Sequence, residues 1–530
     1  MDERILVSDS IAQEGIDLLA RTAAVDVRLG LSPDALLAAI PAYDALVVRS
    51  QTMVTGDLIR AGERLRVVAR AGVGVDNIDV PAATEQGVVV VNAPMGNTVS
   101  TAELTVVLLL ALARHLPAAD ASLRQGEWDR KAFLGVEVRG KTVGLVGLGQ
   151  VGSAVARRLR AMEMHVLAVD PYVPDERARM VGVELVGLDD LLRRADFVSL
   201  HTVLTDETHR LIGRDQIALM KPEARIINTA RGGLIDEEAL LEALEAGKLA
   251  GAALDVFEQE PPSAKALLAH PRVVATPHLG ASTLEAQEQV ALDVAREIRL
   301  VLDGHPATAA VNAPFVDPET LEVVGPYLEV ARMCGTLATQ VAVGQWRSVR
   351  ISYDGEIAEH DVTALKAAAV AGLLETISEE RVNLVSVNNV IAHRGWQVTE
   401  EKNPESEEYA NLITVRLMTS GGEVRVAGTL AHGVGHIVEV DGAHVDVSRD
   451  DHSDGHSHIL LLENEDRPGR IGAVGTELGD MGVNISSMDV GRQERGMALM
   501  VLTIGRALTQ TEADRIAAIP GIDRVVQARI

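Results

Sequence analysis

Three polar side chains of this 530-residue chain follow short apolar runs that are typical of β-strands, and together they could transfer a hydride. Arg231 lies in NTARGG, Glu260 in LDVFEQEP and His278 in TPHLGAST. Oxidation of a hydroxyl-bearing carbon needs a base for the hydroxyl proton, and an imidazole with a pKa of about 6.5 suits that task. A neighbouring carboxylate favours the imidazolium, and the arginine fork matches a carboxylate on the substrate. Each residue alone is more often structural, but the set predicts a dehydrogenase centre.

A dinucleotide-binding pattern occupies the segment GKTVGLVGLGQVGSAVARRLRAMEMHVLAVDPY. Gly147 permits a tight turn, Gly149 lets the backbone approach a pyrophosphate, and Gly152 lets the helix pack close to the strand. The helix N-terminus offers unpaired N–H groups to that anion. Asp170 ends the next apolar run, 21 residues after Gly149, where a carboxylate binds ribose hydroxyls and repels a 2′-phosphate. The pattern therefore predicts binding of NAD rather than NADP.

A second glycine pair, Gly72-x-Gly74, follows an apolar run but is not continued by a third glycine or a suitably spaced acid. Close-set glycines present backbone N–H groups to small anions, and Arg70 and Arg49 could add positive charge. A tight turn beside solvated arginines is an equally good interpretation of these residues alone.

Short apolar runs alternate with amphipathic segments up to about residue 310, which predicts parallel βαβ units. One continuous helical segment is expected over residues 98–125. A mixed α and β stretch follows from about 321 to 450, and the last 73 residues have the strand and helix order of a ferredoxin-like module. The expected strands of the first two-thirds span residues 4–8, 45–49, 67–70, 88–92, 142–146, 165–169, 197–200, 226–228, 251–254 and 273–276.

The net charge of −27 argues against binding to nucleic acid or to an anionic membrane, although a local basic pocket for a small anion stays possible. The apolar run at 104–113 has about half the ~20 residues of a membrane-spanning helix. The start MDERILVSDS lacks the features of a signal peptide, so a cytoplasmic protein is expected. The only cysteine, Cys334, is interpreted as a core residue.

Histidines 452, 456 and 458 stand among aspartates in SRDDHSDGHSH and could bind a divalent metal. A solvated linker is the better interpretation, and no metal site is predicted. The pair His432 and His436 is interpreted in the same way.

The dinucleotide pattern, NTARGG, LDVFEQEP and TPHLGAST, in this order and spacing, resemble the D-isomer-specific 2-hydroxyacid dehydrogenases. The segments RAGVGVDNID, NAPMGNTVSTAE and EWDRKAFLGVE, with the long tail, resemble the form of that family that carries two extra C-terminal domains. The resemblance implies an α/β chain in which a Rossmann-type nucleotide domain is inserted in a flavodoxin-like substrate domain. An α+β intervening domain and a C-terminal ferredoxin-like ACT domain follow. The implied boundaries are 1–97 with 283–317 for the substrate domain, 98–282 for the nucleotide domain, 318–452 for the intervening domain and 453–530 for the ACT domain.

The same resemblance implies NAD-dependent oxidation of D-3-phosphoglycerate to 3-phosphohydroxypyruvate, the first step of the phosphorylated route to L-serine. It makes His278 the acid/base, Glu260 its orienting partner and Arg231 the carboxylate-binding cation. It implies L-serine as effector and a homotetramer. The implied cofactor residues are Gly147, Gly149, Gln150, Val151, Gly152, Asp170, Thr202, Ala230, Asp255, His278 and Gly280. The implied substrate residues are Arg49, Arg70, Gly74, Asn97, Arg130, Lys131 and Arg231, with Arg130 and Lys131 reaching a neighbouring subunit's site. The implied effector residues are Asp466 and Asn484, between paired ACT modules.

Three alternatives stay open at this stage. The first is a dehydrogenase of the same family that acts on another acid, such as glycerate or 2-oxoglutarate. The second is a dinucleotide-sensing corepressor of the same fold, and the third is a serine sensor without catalysis. Observed turnover would separate the first from the other two.

Overall fold

The computed structural model describes residues 3–313, 317–378, 382–406, 408–448, 457–492 and 496–530, which form four β-sheets. The first sheet has five parallel strands in the order β2-β1-β3-β4-β5, the order of flavodoxin-like folds. Its central strands are almost wholly buried because helices cover both faces. The strands are β1 (Arg4–Val7), β2 (Ala24–Val27), β3 (Ala45–Val48), β4 (Val67–Arg70) and β5 (Val89–Val91), and the helices are α1 (Gln13–Leu19), α2 (Pro33–Ala39), α3 (Gly56–Ala61) and α4 (Val80–Glu85).

The second sheet has seven parallel strands in the order β12-β11-β10-β9-β6-β7-β8, which is the Rossmann order. The strand order reverses between β6 and β9, and ligands bind in the crevice at such a point. The strands are β6 (Thr142–Val146), β7 (His165–Val169), β8 (Glu184–Leu185), β9 (Phe197–Leu200), β10 (Arg225–Asn228), β11 (Gly251–Leu254) and β12 (Val273–Ala275). The helices are α5 (Thr98–Ala113), α6 (Leu116–Arg124), α7 (Gln150–Ala161), α8 (Asp175–Met180), α9 (Leu188–Arg194), α10 (Arg214–Leu219), α11 (Glu237–Glu245) and α12 (Lys265–Ala269).

The prediction of one helix over residues 98–125 is wrong. The segment breaks into α5 and α6, bent by 63°, with His115 between them at a φ of 53°. Pro117 explains the break, because its ring lacks an N–H and clashes with the carbonyl four residues earlier. Among the described residues no single helix has the length and apolar character of a membrane span; the bent pair of α5 and α6 meets the criterion by length and composition alone.

The chain returns to the first sheet after completing the second. Helix α13 (Leu284–Leu302) packs against α1 and β4, and Ala310 pairs with Val91 of β5. The contact with α1 is close because Gly15 has no side chain: a Cβ there would lie 2.8 Å from the carbonyl oxygen of Ala291. The nucleotide-type sheet is thus inserted between two parts of the substrate-type unit, while the individual domain boundaries stay a prediction.

A six-stranded mixed sheet follows, in the order β14-β13-β15-β16-β17-β18, with helices on one face. Cys334 of its longest helix is buried, as expected of a core residue, and burial raises the pKa of its thiol. The strands are β13 (Trp346–Gly355), β14 (Gln397–Asn403), β15 (Asn411–Thr419), β16 (Gly422–Ala431), β17 (Val434–Val440) and β18 (Ala443–Ser448). The helices are α14 (Pro318–Val324), α15 (Leu328–Val341), α16 (Thr363–Glu375) and α17 (Val387–Arg394).

The fourth sheet is antiparallel, in the order β20-β21-β19-β22, and carries two helices on one face. The opposite face is continuous with the apolar core of the preceding domain. The side-chain amide of Gln340 extends this contact, since it accepts from the backbone N of Arg529 and donates to its carbonyl. The elements are β19 (His458–Glu465), α18 (Arg470–Asp480), β20 (Ile485–Arg492), β21 (Met497–Ile504), α19 (Gln510–Ala517) and β22 (Ile522–Arg529).

The predicted fold class is confirmed: two parallel α/β sheets precede a mixed α+β domain and a ferredoxin-like module. Most of the histidine- and aspartate-rich junction considered as a possible metal site lies outside the described residues.

Candidate active site

A cavity of about 1040 Å³ lies between the two parallel sheets, where the carboxyl ends of their strands face each other. A volume of this order accommodates a dinucleotide end together with a small substrate. Most of the residues predicted for substrate and catalysis line it, with part of those predicted for the cofactor. They are Arg49, Arg70, Gly74, Asn97, Val151, Thr202, Ala230, Arg231, Glu260, His278 and Gly280.

His278 and Glu260, the predicted acid/base pair, are in contact in this cavity. The Nδ1 atom of His278 lies 2.7 Å from Oε2 of Glu260, and both side chains are partly exposed. The backbone N of Phe257 donates to Oε1 of the same carboxylate at 3.2 Å, which fixes its orientation. This arrangement presents Nε2 of His278 as the ring atom for exchange of a proton with a substrate hydroxyl.

Asp255 holds the loop that carries His278. Its carboxylate is fully buried and accepts from Thr276 Oγ1 at 2.6 Å, from Leu279 N at 2.7 Å and from Gly280 N at 2.9 Å. Burial raises the pKa of Asp255, while these three donors oppose the rise. Asp255, which the resemblance implies as a cofactor residue, therefore lies outside the cavity lining and supports the loop that carries His278.

The position of Arg231 is set by the residues at the end of the preceding strand, β10. Asn228 is buried at the end of β10, donates to the carbonyl of Arg231 at 2.8 Å and accepts from Ala230 N at 3.1 Å. Gly232 is required for packing, because a Cβ there would lie 1.8 Å from the carbonyl oxygen of Phe257. The sequence NTARGG thus forces the arginine side chain out of the loop and into the cavity.

Three guanidinium groups converge on the substrate side. Gly74 makes room for one of them, because a Cβ at that residue would lie 2.3 Å from Nη2 of Arg231. Burial, and after it the charges of Arg231 and Arg49, lower the pKa of Arg70 to about 10, while Asp76 opposes them. Asp76 also lies 3.5 Å from Nε of Arg231. A cluster of arginines suits anionic groups, so the structure places the ambiguous Gly72-x-Gly74 segment beside a candidate anion site.

The glycine turn has the geometry that the dinucleotide pattern predicts. Gly147 has a φ of 98°, and a Cβ there would lie 2.4 Å from the carbonyl oxygen of His201. A Cβ on Gly152 would lie 2.2 Å from the carbonyl oxygen of Gly147. No atom lies within 4 Å of the Cβ position of Gly149, so its backbone is open at the N-terminus of the twelve-residue helix α7. These residues fit a bound pyrophosphate.

Asp170 directly follows β7, beside this turn. Its Oδ2 accepts from Leu148 N at 2.8 Å and its Oδ1 from Tyr172 N at 3.0 Å. The carboxylate therefore supports the turn as well as facing the place expected for the ribose. NAD bound at this turn would supply the acceptor for a hydride.

Besides the glycines of the turn, Asp170 and Asp255, five more predicted site residues lie away from the cavity lining. Gln150 is exposed on the first turn of α7, and Arg130 and Lys131 are exposed after α6. Asp466 and Asn484 are exposed in the C-terminal module.

Sequence reasoning missed several supports of the site. Ser100 and Thr101 at the start of α5 both donate to the carbonyl of Gly280, at 2.8 and 3.0 Å, and Thr105 bonds Thr229 at 2.7 Å. Their polar spacing on an otherwise apolar helix is a signal that the sequence offered. Asn228 had a similar signal, since a buried strand seldom ends in an unpaired amide.

Models of known families match three parts of the chain. Residues 106–280 match the D-isomer specific 2-hydroxyacid dehydrogenase NAD binding domain, residues 323–441 the D-3-phosphoglycerate dehydrogenase intervening domain, and residues 458–521 the ACT domain. A solved glyoxylate reductase from Paecilomyes thermophila is 32% identical with a TM-score of 0.54, covering 58% of this chain and 98% of its own. The fold and the site thus define a D-isomer-specific 2-hydroxyacid dehydrogenase that uses NAD.

Curated relatives extend the match over nearly the whole chain. A D-3-phosphoglycerate dehydrogenase of Synechocystis sp. is 45% identical over 98% of this chain and 93% of its own length. One of Methanocaldococcus jannaschii is 44% identical over 98% and 99%, respectively. The chain belongs to the D-3-phosphoglycerate dehydrogenase family.

Proposed function

We propose that the chain oxidises D-3-phosphoglycerate to 3-phosphohydroxypyruvate, with His278 as base and Arg231 as the substrate's cation. The hydroxyl proton at carbon 2 passes to Nε2 of His278. NAD, held by the glycine turn and Asp170, would supply the acceptor for the hydride that leaves the same carbon. Glu260 stabilises the imidazolium that forms, because its carboxylate contacts Nδ1 at 2.7 Å. In the reverse direction the protonated histidine returns its proton to the carbonyl oxygen.

The observation that carries this proposal is the convergence of the His278–Glu260 pair and three arginines on one cavity beside the glycine turn. A substrate with both a carboxylate and a phosphate carries about three negative charges. Arg231, Arg49 and Arg70 supply three positive charges at the same place. A smaller acid such as glycerate would leave part of that cluster unpaired, which favours the phosphorylated substrate.

The direct test is NADH oxidation in the presence of 3-phosphohydroxypyruvate, followed by absorbance. We expect turnover with this substrate and a much lower kcat/KM with 2-oxoglutarate or the keto acid of glycerate. Equal efficiency with an unphosphorylated acid would overturn the substrate assignment. NADH binding without turnover on any of them would favour the sensor alternative.

We also propose that two copies of the chain pair through α5, α6 and the following loop. This face exposes large apolar side chains, which soluble monomers seldom leave uncovered. The exposed fractions are 57% for Val107, 61% for Leu116, 57% for Leu123, 79% for Trp128 and 85% for Leu134. Arg130 and Lys131 are exposed in the loop between Trp128 and Leu134 and do not line their own cavity, so pairing through this loop would bring them to a partner's substrate.

We propose that L-serine is the effector and that it binds between two copies of the C-terminal module. Asp466 follows β19 at the edge where Glu465 pairs with Met497, whereas Asn484 precedes β20 at the edge where Ile485 pairs with Ile504. Seven residues of β21 separate these edges, or about 23 Å at about 3.3 Å per residue. One effector molecule therefore contacts both residues only if Asp466 comes from one module and Asn484 from another.

Two such interfaces per chain, one at α5 and α6 and one at the ACT modules, build a homotetramer. Sedimentation analysis tests this: a Trp128→Ser, Leu134→Ser variant should fall to a dimer held by the ACT modules. We place the enzyme in the cytoplasm, in keeping with one buried, reduced cysteine.

A further inference from the structure

We propose that Asp9 and Asn77 are positioning residues that fix the loop of residues 49–52 and thereby aim Arg49 at the substrate. The inference rests on the proposed function, because it takes Arg49 as a ligand of an anionic substrate. Neither residue lines the cavity, so both would act only through the loop.

Asp9 holds the loop from the side of β1. It follows that strand, is 4% exposed, and accepts from Arg49 N at 2.6 Å with Oδ2. The same oxygen accepts from Thr52 N at 3.1 Å, and Oδ1 accepts from Thr52 Oγ1 at 2.6 Å. One buried carboxylate thus binds both ends of a four-residue segment.

Asn77 holds the same segment from the side of β4. It is 9% exposed, and its Nδ2 donates to the carbonyl of Arg49 at 2.7 Å and to that of Thr52 at 2.6 Å. Asp9 therefore binds the N–H groups of these two residues and Asn77 binds their carbonyls. The four main-chain polar groups at the loop ends are all satisfied by two side chains from different strand ends.

These contacts of Asp9 and Asn77 lie at the edge of the sheet that faces the cavity. A surface loop of this length can satisfy its backbone with water, so two buried side chains are not needed for folding alone. Arg49 is the first residue after β3, and clamping both its N–H and its carbonyl leaves only its side chain free to move. The negative charge of Asp9 also favours the protonated form of the neighbouring Arg70.

The test compares Asp9→Asn and Asn77→Ala with controls at the opposite edge of the same sheet. Asp44 is a buried carboxylate immediately before β3 that accepts from Arg4 N at 2.9 Å, and Asp44→Asn is the control for Asp9→Asn. Asn312 accepts from Val90 N at 2.9 Å and donates to the carbonyl of Val88 at 3.0 Å, so Asn312→Ala is the control for Asn77→Ala. Both controls lose buried hydrogen bonds without touching the loop, and Asp44→Asn also weakens the ion pair between Asp44 and Arg64.

We expect Asp9→Asn and Asn77→Ala to raise the KM for the phosphorylated substrate about 10-fold or more. A misplaced Arg49 would lose its hydrogen bonds to the charged substrate, and such bonds are strong. The KM for NAD should change less than about 3-fold, since the glycine turn lies on the other sheet. Asp44→Asn and Asn312→Ala should lower the melting temperature by a similar amount and leave both KM values unchanged. A substrate KM that follows stability across all four variants would overturn the proposal.

Arg49→Ala separates a failure of this inference from a failure of the proposed function. If Arg49→Ala leaves the substrate KM unchanged, the substrate assignment fails. If Arg49→Ala raises it and Asp9→Asn does not, the positioning role alone fails. In the Arg49→Ala background, Asp9→Asn should add less than about 2-fold, because a residue that acts through Arg49 has nothing left to position. Additive effects of the two substitutions would contradict the clamp.

Discussion

His278 and Glu260 are joined by a 2.7 Å contact between Nδ1 and Oε2, although 18 residues separate them and each follows a different strand. The contact fixes which ring nitrogen is left for the substrate. His278 has a φ of 54°, an unusual conformation for a residue other than glycine, and its N–H donates to the carbonyls of Asp255 and Thr276. Backbone strain at an acid/base residue is typical of a side chain aimed for chemistry.

Replacing His278 by alanine should lower kcat by about 10²- to 10⁴-fold, because the hydroxyl proton loses its acceptor. NADH affinity, measured by fluorescence titration, should stay within about 3-fold, since the glycine turn is untouched. Glu260→Gln keeps a hydrogen-bond acceptor but not the charge, so its loss in kcat should be smaller. Near-normal turnover by His278→Ala would remove the histidine from the mechanism.

Gly74→Ala should impair substrate binding without unfolding the protein. The added Cβ would lie 2.3 Å from Nη2 of Arg231, a mobile group that must move away. We expect the substrate kcat/KM to fall about 10-fold or more, because misplacement of a clamping arginine is costly. Gly187→Ala is the matched control in open space, and equal kinetics of the two variants would contradict the role of Gly74.

Asp170→Asn removes the charge beside the expected ribose; the amide oxygen keeps the acceptor for Leu148 N, and the acceptor for Tyr172 N is lost. The ratio of kcat/KM with NADP to that with NAD should rise about 10-fold or more, since the variant no longer repels a 2′-phosphate. Exposed Asp175 on α8 provides the control substitution Asp175→Asn. An unchanged ratio would mean that cofactor choice is made by other residues.

His201 should make stability depend on pH. Desolvation lowers the pKa of this histidine to about 4, and its Nε2 lies 2.9 Å from Ser199 Oγ. Because the pKa of His201 is lower in the folded state, the folded protein is most stable above the unfolded-state pKa of about 6.5. It loses stability as the pH falls from there towards 4. Between pH 7 and pH 5 the loss is about 2 kcal/mol. Urea unfolding of His201→Gln should show a shallower pH dependence than the parent, while the exposed-residue control His165→Gln should follow the parent.

Serine inhibition should be lost in Asp466→Ala and in Asn484→Ala, and partly regained when the two variants are assembled together. A mixed pair has one site with both substitutions and one site with neither, so about half of the sites in such pairs are intact. Inhibition assays of refolded mixtures measure this. No recovery in mixtures that have demonstrably exchanged subunits would place the effector within a single module.

The residues that line the candidate site were predictable because the signals that reveal them are local. The glycine turn, NTARGG and TPHLGAST each stand where an apolar run ends, and parallel strands bring such ends together. Their supports were not predictable in the same way. Asp9 and Thr52, which bond at 2.6 Å, are 43 residues apart, and nothing near either residue indicates the other.

The structure departs from the sequence predictions where local signals conflict or weaken. The apolar pattern continues past His115, but Pro117 ends the helix all the same. The edge strands β2 and β8 were missed because they are short and partly exposed, without a run of buried residues. The resemblance implies Asp255 as a cofactor residue, and that stays a prediction; its three hydrogen bonds to the histidine loop could not be predicted from the sequence.

Because a shared apolar layer joins the fourth sheet to the preceding domain, those two domains form a single structural unit. Ile459, Leu461, Val501 and Ile530 are buried in the same core as residues of α15 and β13. Removing the C-terminal module would expose this apolar layer to water. An enzyme truncated there would therefore be prone to aggregate, in addition to losing its response to the effector. Towards the catalytic half, by contrast, Asn383 bonds the carbonyl of Gly87 at 2.7 Å beside a wide cleft. A functional chimera should therefore exchange the last two domains together, with the splice before residue 318.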